Sequence, residues 1–332
     1  MGKETELFPA VREALAGVKR ILISGHVNPD GDSMGSMIAL ARMLTQAGYQ
    51  AFGTVNPLTL GKIAFLEGTK NLIPLNRLKR QKNFDLLIAV DCGDYSRMPP
   101  EIEAKMQGQP VICFDHHITN DASNGFANVA IVDATAASTG EIIWRFARWM
   151  EWPIDQVTAE ALWVSLVTDT GRFAYSNTTT KTMRAAGDLL KRGVRTAEIN
   201  DQIFGSFSSK SMALKRLAWR SLHIWKNRKV AEVTLTRDDY RSVRGKKADA
   251  EDVIEIPRSV ARNEIAIFFH QIPDRTKEVR CSIRTRPPWD ATVLAKQFGG
   301  GGHVRAAGCT IRSSMGGAKR QMRAAIKEML KG

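Results

Sequence analysis

The chain has 332 residues, 43% of them hydrophobic, with 48 Lys and Arg against 34 Asp and Glu, for a formal net charge of +14. That length suits two ordinary domains. No apolar run approaches the roughly 20 residues of a membrane span, and the first residues lack a signal-peptide pattern, so a cytoplasmic protein without a membrane partner is expected. Four cysteines (Cys92, Cys113, Cys281, Cys309) without paired spacing argue against a disulfide framework or structural zinc. The charge is uneven: residues 1–204 carry 21 Lys and Arg against 22 Asp and Glu, residues 205–332 carry 27 against 12. A field of that sign suits a polyanion such as nucleic acid, although a solubilising surface would look the same.

In chain order, Leu7, Val11, Leu15 and Val18 predict an opening amphipathic helix. The apolar run Ile21-Leu22-Ile23 predicts a buried strand. It is followed by the tight loop Ser24-Gly25-His26-Val27-Asn28-Pro29-Asp30-Gly31-Asp32 and by a helix marked by Met37, Ile38, Ala41 and Leu44 and closed by Gly48. A strand is expected near 51–55, a helix near 62–66, and strands at 86–90, 111–114 and 129–132. Helices are expected from 139 through about 150 and across 157–167, the latter delivering Thr168-Asp169-Thr170-Gly171. Strands alternating with helices give an α/β class with a mostly parallel sheet. The first domain is set at 1–193 and a helical connecting segment at 194–220. A smaller α/β domain, 221–332, has strands at 230–236, 264–270 and 279–284 and a final helix on Met322, Ile326, Met329 and Leu330. Residues 244–252 read as a charged loop.

Three predicted strands end in acidic or histidine-bearing loops: His26/Asp30/Asp32, Asp91, and Asp115/His116/His117. A helix-to-loop junction adds Asp169. Open parallel sheets bind ligands at the C-terminal ends of their strands. Singly, each residue has an ordinary use as a helix cap or a buried hydrogen-bond partner; together they form a donor set. Imidazoles and carboxylates without cysteine suit Mn²⁺ or similar hard divalent metals, and so many anions suit two ions sharing a bridging carboxylate. Asp91 is the candidate bridge, with His26 and Asp30 completing one metal and Asp32, His116 and Asp169 the other.

These motifs resemble the DHH phosphoesterase superfamily, named for the pattern matched by Asp115-His116-His117. The segment His26 to Asp32 is similar to its first motif, Asp91 to its second and Thr168-Asp169-Thr170-Gly171 to its fourth. Asn120 matches an Asn the family often carries after the second His. The resemblance covers nearly the whole chain, since the C-terminal glycine run is similar to the DHH-associated substrate domain. It implies two Mn²⁺ ions, with Mg²⁺ or Co²⁺ as substitutes, His117 facing the scissile phosphate, and Asp115 orienting a ligating His from behind. It also implies a homodimer.

Gly299 to Gly302 would let backbone N–H groups approach an anion closely. With His303 and Arg305 beyond them, Ala306-Ala307-Gly308 are expected to start a helix beside that cradle. The strand from Cys281 puts Ser282, Arg284 and Arg286 on one face. Gly300, Gly301 and Gly302 are the cradle, and the resemblance favours Arg284 and His303 as substrate contacts. Trp289 reads as core. The metals would then cut and the basic domain hold the rest of the substrate, with the cleft between them as active site. The resemblance implies hydrolysis of short RNA oligonucleotides, and of pAp to AMP, by metal-activated water. Rivals are a phosphodiesterase for cyclic dinucleotides or for pApA, an exopolyphosphatase or pyrophosphatase, and a non-catalytic nucleotide-binding module.

Overall fold

The computed structural model describes residues 6–117, 125–271 and 278–331, so Asn120 lies outside the described residues. The chain divides into two compact units, residues 1–205 and 206–332. The first contains, in order, α1 (Phe8–Ala14), β1 (Arg20–Ser24), α2 (Gly31–Gln46), β2 (Gln50–Val55), β3 (Ile73–Pro74), α3 (Leu75–Leu78), β4 (Leu86–Val90), α4 (Pro100–Met106), β5 (Val111–Asp115), β6 (Val129–Val132), α5 (Thr139–Trp149), α6 (Gln156–Asp169), α7 (Thr180–Lys191) and α8 (Thr196–Asn200). Its sheet runs β3-β2-β1-β4-β5-β6 with every pair parallel. The order reverses between β1 and β4, which opens a crevice at their C-terminal ends.

β4 and β5 are buried along their whole length, as strands covered on both faces must be. Alternate residues divide between two cores. Ile21, Ile23, Ile88, Val90 and Phe114 pack with α2, α5 and α6. Leu22, Leu87, Ala89 and Cys113 pack with α3 and α4. α2 lies close against α6 because Gly35 has no side chain: a Cβ there would sit 2.3 Å from the Ala161 carbonyl oxygen.

The second unit contains α9 (Ser209–Arg220), β7 (His223–Trp225), β8 (Val230–Leu235), α10 (Arg237–Ser242), α11 (Glu255–Arg258), β9 (Ile265–His270), β10 (Val279–Thr285), α12 (Ala291–Lys296), β11 (Gly301–His303), β12 (Ala306–Ile311) and α13 (Met315–Met329). Its sheet runs β11-β12-β10-β9-β8-β7, antiparallel except for β8 with β9. Ile265, Ile267 and Phe269 face α12 and α13, and Ala266 and Phe268 face α9 and α10. All four cysteines are free and buried, as small apolar residues in strands and turns commonly are.

Four local expectations are corrected. Residues 62–66 form no α-helix; short 3₁₀ turns at Pro57–Thr59, Gly61–Ile63 and Glu67–Asn71 replace it, punctuated by Pro57, Gly68 and the left-handed Gly61. The segment 194–220 is no free connector, because Val194, Ile199 and Ile203 belong to the first core while Leu214 and Ala218 belong to the second. Within 244–252 a 3₁₀ run, Lys247–Ile254, begins, anchored by buried Ala250 and Val253. Ala306-Ala307-Gly308 start a strand, not a helix: Ala307, Cys309 and Ile311 alternate into the core and pair with β10. Among the described residues no helix is long and apolar enough to cross a membrane.

Gly35→Ala forces the α2–α6 contact apart. Overpacking of this kind costs about 1–3 kcal/mol, and the expected outcome is a lower midpoint in urea unfolding. An unchanged midpoint would show that the close approach carries no constraint.

Candidate metal centre

Each donor is placed by a strand end or a helix end of the first unit. Asp30 caps α2: its Oδ1 accepts from the N–H groups of Asp32 (3.0 Å) and Ser33 (3.1 Å). The ordinary use of an Asp before a helix is therefore real here, and the other oxygen is left to the site. Asp32, in the first turn of the same helix, is 1% exposed. Asp91 follows β4 directly; its N–H continues the ladder to the Phe114 carbonyl (2.9 Å). Its φ of +55° lies in the left-handed region, which is uncommon for a residue with a side chain and typical of functional sites. A second such turn, Gly171-Arg172-Phe173 with φ of 54, 62 and 63°, follows Asp169.

Asp91 stands at the middle. Its Oδ2 lies 3.3 Å from His26 Nε2, and its Oδ1 lies 3.3 Å from His117 Nδ1 and 3.9 Å from His116 Nε2. That Oδ1 is buried and makes no hydrogen bond. His116 Nε2 is 3.1 Å from Asp169 Oδ2 and 3.5 Å from Asp32 Oδ2. Three groups of donors each lie within 4.8 Å of one another: His26, Asp30 and Asp91; Asp32, His116 and Asp169; and Asp91, His116 and His117. The six residues proposed from sequence as ligands thus come together, and His117, expected to face the phosphate, falls in a third group with Asp91 and His116.

The electrostatics are those of a site short of positive charge. Burial, then Asp32, Asp30, Asp169 and Asp115, push the Asp91 carboxyl well above the usual range. Burial raises Asp169 to about 7 against the pull of His116, with Asp32 and Asp30 adding to it. Burial lowers His116, but its hydrogen bond to Asp169 and the field of Asp32 outweigh this and carry it to about 9. Burial holds His26 below its ordinary value despite Asp30, which keeps a neutral imidazole with a lone pair to offer. Uncompensated buried carboxylates are costly, and divalent cations relieve them. The donor set and the orphaned Asp91 oxygen fit such ions.

Two supports stand behind these donors. Asp115 Oδ1 accepts from His117 Nδ1 at 2.6 Å and from the His117 N–H at 3.1 Å, so the histidine it orients is His117. Asp32 is gripped from behind: Oδ1 accepts from Ser165 Oγ (2.6 Å), Ser36 Oγ (3.1 Å) and Gly140 N (3.1 Å), and Oδ2 from Thr139 N (2.8 Å). The last two donors are the N-terminus of α5, a natural seat for an anion. Ser36, at i+4 from Asp32, was the one signal available in the sequence.

Comparison with known proteins agrees with this geometry. The DHH family, N-terminal domain, matches residues 20–166, and the DHHA1 domain matches residues 241–332. A protein of Thermus thermophilus named bifunctional oligoribonuclease and PAP phosphatase NrnA is 30% identical over 92% of this chain and 89% of its own. The chain belongs to the DHH phosphoesterase family. As a member it is a hydrolase of phosphoester bonds. An exopolyphosphatase-related protein from Bacteroides fragilis shares the fold over 99% of this chain and 98% of its own, with TM-score 0.89 and 22% identity. RecJ of Thermus thermophilus, solved in complex with Mn²⁺, matches 98% of this chain and 54% of its own, with TM-score 0.55 and 14% identity.

In the DHHA1 part, Arg284 pairs with Ala306 across β10 and β12, and Ala306 pairs with His303 across β12 and β11. The backbones of Arg284 and His303 therefore lie in one row across β10, β12 and β11. Arg284 is half-buried and donates to the Ile283 carbonyl at 3.1 Å; the side chain of His303 lies outside the described residues. The glycines divide in role. A Cβ at Gly300 would meet the Gly308 carbonyl oxygen at 2.2 Å, and one at Gly302 the Ala306 carbonyl oxygen at 2.5 Å, so strand packing accounts for both; nothing lies within 4 Å of a Cβ at Gly301.

With Asp169 raised to about 7 against an ordinary 3.8, the metal-free fold holds a proton that the unfolded chain releases. The stability this lends is complete below pH 3.8 and is lost as pH rises through 7. In EDTA, the thermal midpoint of the wild type relative to Asp169→Asn is expected to be highest near pH 4 and to fall steadily by pH 8. A difference independent of pH would show that Asp169 is not raised.

Proposed function

We propose that this phosphoesterase hydrolyses short RNA oligonucleotides to mononucleotides and removes the 3′-phosphate of pAp, with two Mn²⁺ ions held by His26, Asp30, Asp32, Asp91, His116 and Asp169. The observation that carries the reading is Asp91, set between two donor groups with one oxygen toward each. Relatives that align with most of the chain bear the names of enzymes for these substrates. When bound, the ions would supply Lewis acidity and a water acidified enough to attack phosphorus. Ser165, Ser36 and the start of α5 keep Asp32 aimed, so the cluster is arranged before substrate arrives. Asp115 fixes His117 with its Nδ1–H committed, which leaves Nε2 to meet a phosphoryl oxygen. Arg284 offers the bidentate fork that suits phosphate, and Gly301 the unobstructed backbone that lets it approach. His303, Gly300 and Gly302 complete that grip. The homodimer expected from sequence belongs to the same reading.

The test is product analysis with Mn²⁺ on a 5-mer and a 24-mer RNA, pAp, pApA, cyclic di-AMP and pyrophosphate. Mononucleotides from the 5-mer and pApA, AMP from pAp, and little action on the 24-mer are expected. Cleavage confined to pyrophosphate or to cyclic di-AMP would overturn the assignment. In steady-state kinetics on pAp, Asp91→Ala is expected to lower kcat by at least about 10³-fold, whereas Arg284→Ala raises KM about tenfold and leaves kcat within a few-fold. Wild-type turnover by Asp91→Ala at saturating Mn²⁺ would remove Asp91 from the bridging position.

A further inference from the structure

The second unit carries a surface that the proposed chemistry does not use. From Gln202 to Ala231 the chain has seven Lys and Arg and no Asp or Glu, and this stretch falls between the two family matches. α9 buries Ser211, Leu214 and Ala218, which turns Met212, Arg216, Trp219 and Arg220, at i, i+4, i+7 and i+8, onto one outer face. Trp219 is 54% and Met212 55% exposed. Two residues after the helix comes β7, the edge strand of the sheet, with His223 and Ile224 exposed.

The β7–β8 hairpin tip then places three successive non-glycine residues, Lys226, Asn227 and Arg228, at φ of 52, 52 and 68°. Glycine or asparagine would make this turn more easily than Lys or Arg, yet the tip presents two exposed cations. Lys215 and Lys229 reach Asp252 (3.8 Å) and Glu264 (3.1 Å). Among the described residues, Lys210, Arg216, Arg220, Lys226 and Arg228 have no such carboxylate, and all five are exposed.

A large exposed indole among unpaired cations wants a partner that is anionic and flat. A second copy of the same face would set like charges together. We propose that the outer face of α9 and the β7–β8 hairpin bind single-stranded RNA, with phosphates on Arg216, Arg220, Lys226 and Arg228 and a base stacked on Trp219. The choice of RNA rests on the oligoribonuclease reading; the binding of a strand does not.

The experiment is fluorescence anisotropy of the full chain with a labelled 20-mer single-stranded RNA in EDTA, from 50 to 200 mM salt. Removing two phosphate contacts (Arg216→Ala with Arg220→Ala) should flatten the slope of log affinity against log salt by about 1.4. Lys226→Ala with Arg228→Ala is expected to do the same from a site away from the helix. Trp219→Ala should weaken binding about tenfold with the slope unchanged, and should leave binding of a 20-base-pair duplex unaffected. Thermal midpoints and pAp turnover are expected to stay at wild-type values. Unchanged affinity and slope in all three variants would overturn the proposal. So would a fall in sedimentation mass with RNA binding intact, which would mark the face as a contact between copies. If no substrate is hydrolysed yet these variants still lose RNA, the catalytic reading falls and this surface stands.

Discussion

Everything in the first unit is arranged around one electrostatic problem. Asp30, Asp32, Asp91, Asp115 and Asp169 crowd one crevice around three imidazoles, with Asp32, Asp91 and Asp115 buried. Like charges this close cannot all ionise in a region poor in water. Burial and mutual repulsion raise the Asp91 and Asp169 carboxyls, and divalent cations would relieve the same crowding. The left-handed backbone at Asp91 is part of the same arrangement, because it turns a carboxylate out of the β4 ladder and into the centre of the cluster.

The sheet supplies the place and the helices supply the hold. Strand order reverses between β1 and β4, so the loops carrying His26 and Asp91 leave the sheet side by side. Asp32 then needs its own support, since burying a carboxylate to 1% exposure without hydrogen-bond donors is costly. Four hydrogen bonds provide it, two from the backbone at the start of α5 and two from serines on α2 and α6. Gly35 and Gly140 make this possible: a Cβ at either would strike α6, at Ala161 or at Ser165. Close helix packing and ligand positioning are thus one feature.

The second unit shows how a motif can serve structure and chemistry together. The run Gly299 to Gly302 looks like an anion cradle, yet two of its glycines are needed for β11 to lie against β12. Gly299 and Gly301 keep free space where a Cβ would stand. The same strands align Arg284 with the backbone of His303, so packing that appears merely structural is what gathers the residues proposed to hold substrate.

Sequence by itself determined the α/β class and the strands β1, β4, β5, β8, β9 and β10, and it marked the candidate donors. These signals are local: apolar runs with period 2 or 3.6, and chemistry-bearing residues just past a strand end. It also marked the second half as basic. What the tertiary structure alone decided is who meets whom. Asp115 serves His117 and not His116 through a ring rotation that no spacing encodes. Ser165 reaches Asp32 across 133 residues. The run after Gly302 becomes a strand because β10 offers it a partner, and 194–220 divides between two cores because its apolar residues find different ones. Such contacts depend on the relative placement of distant elements, and the period of a sequence carries no information about that.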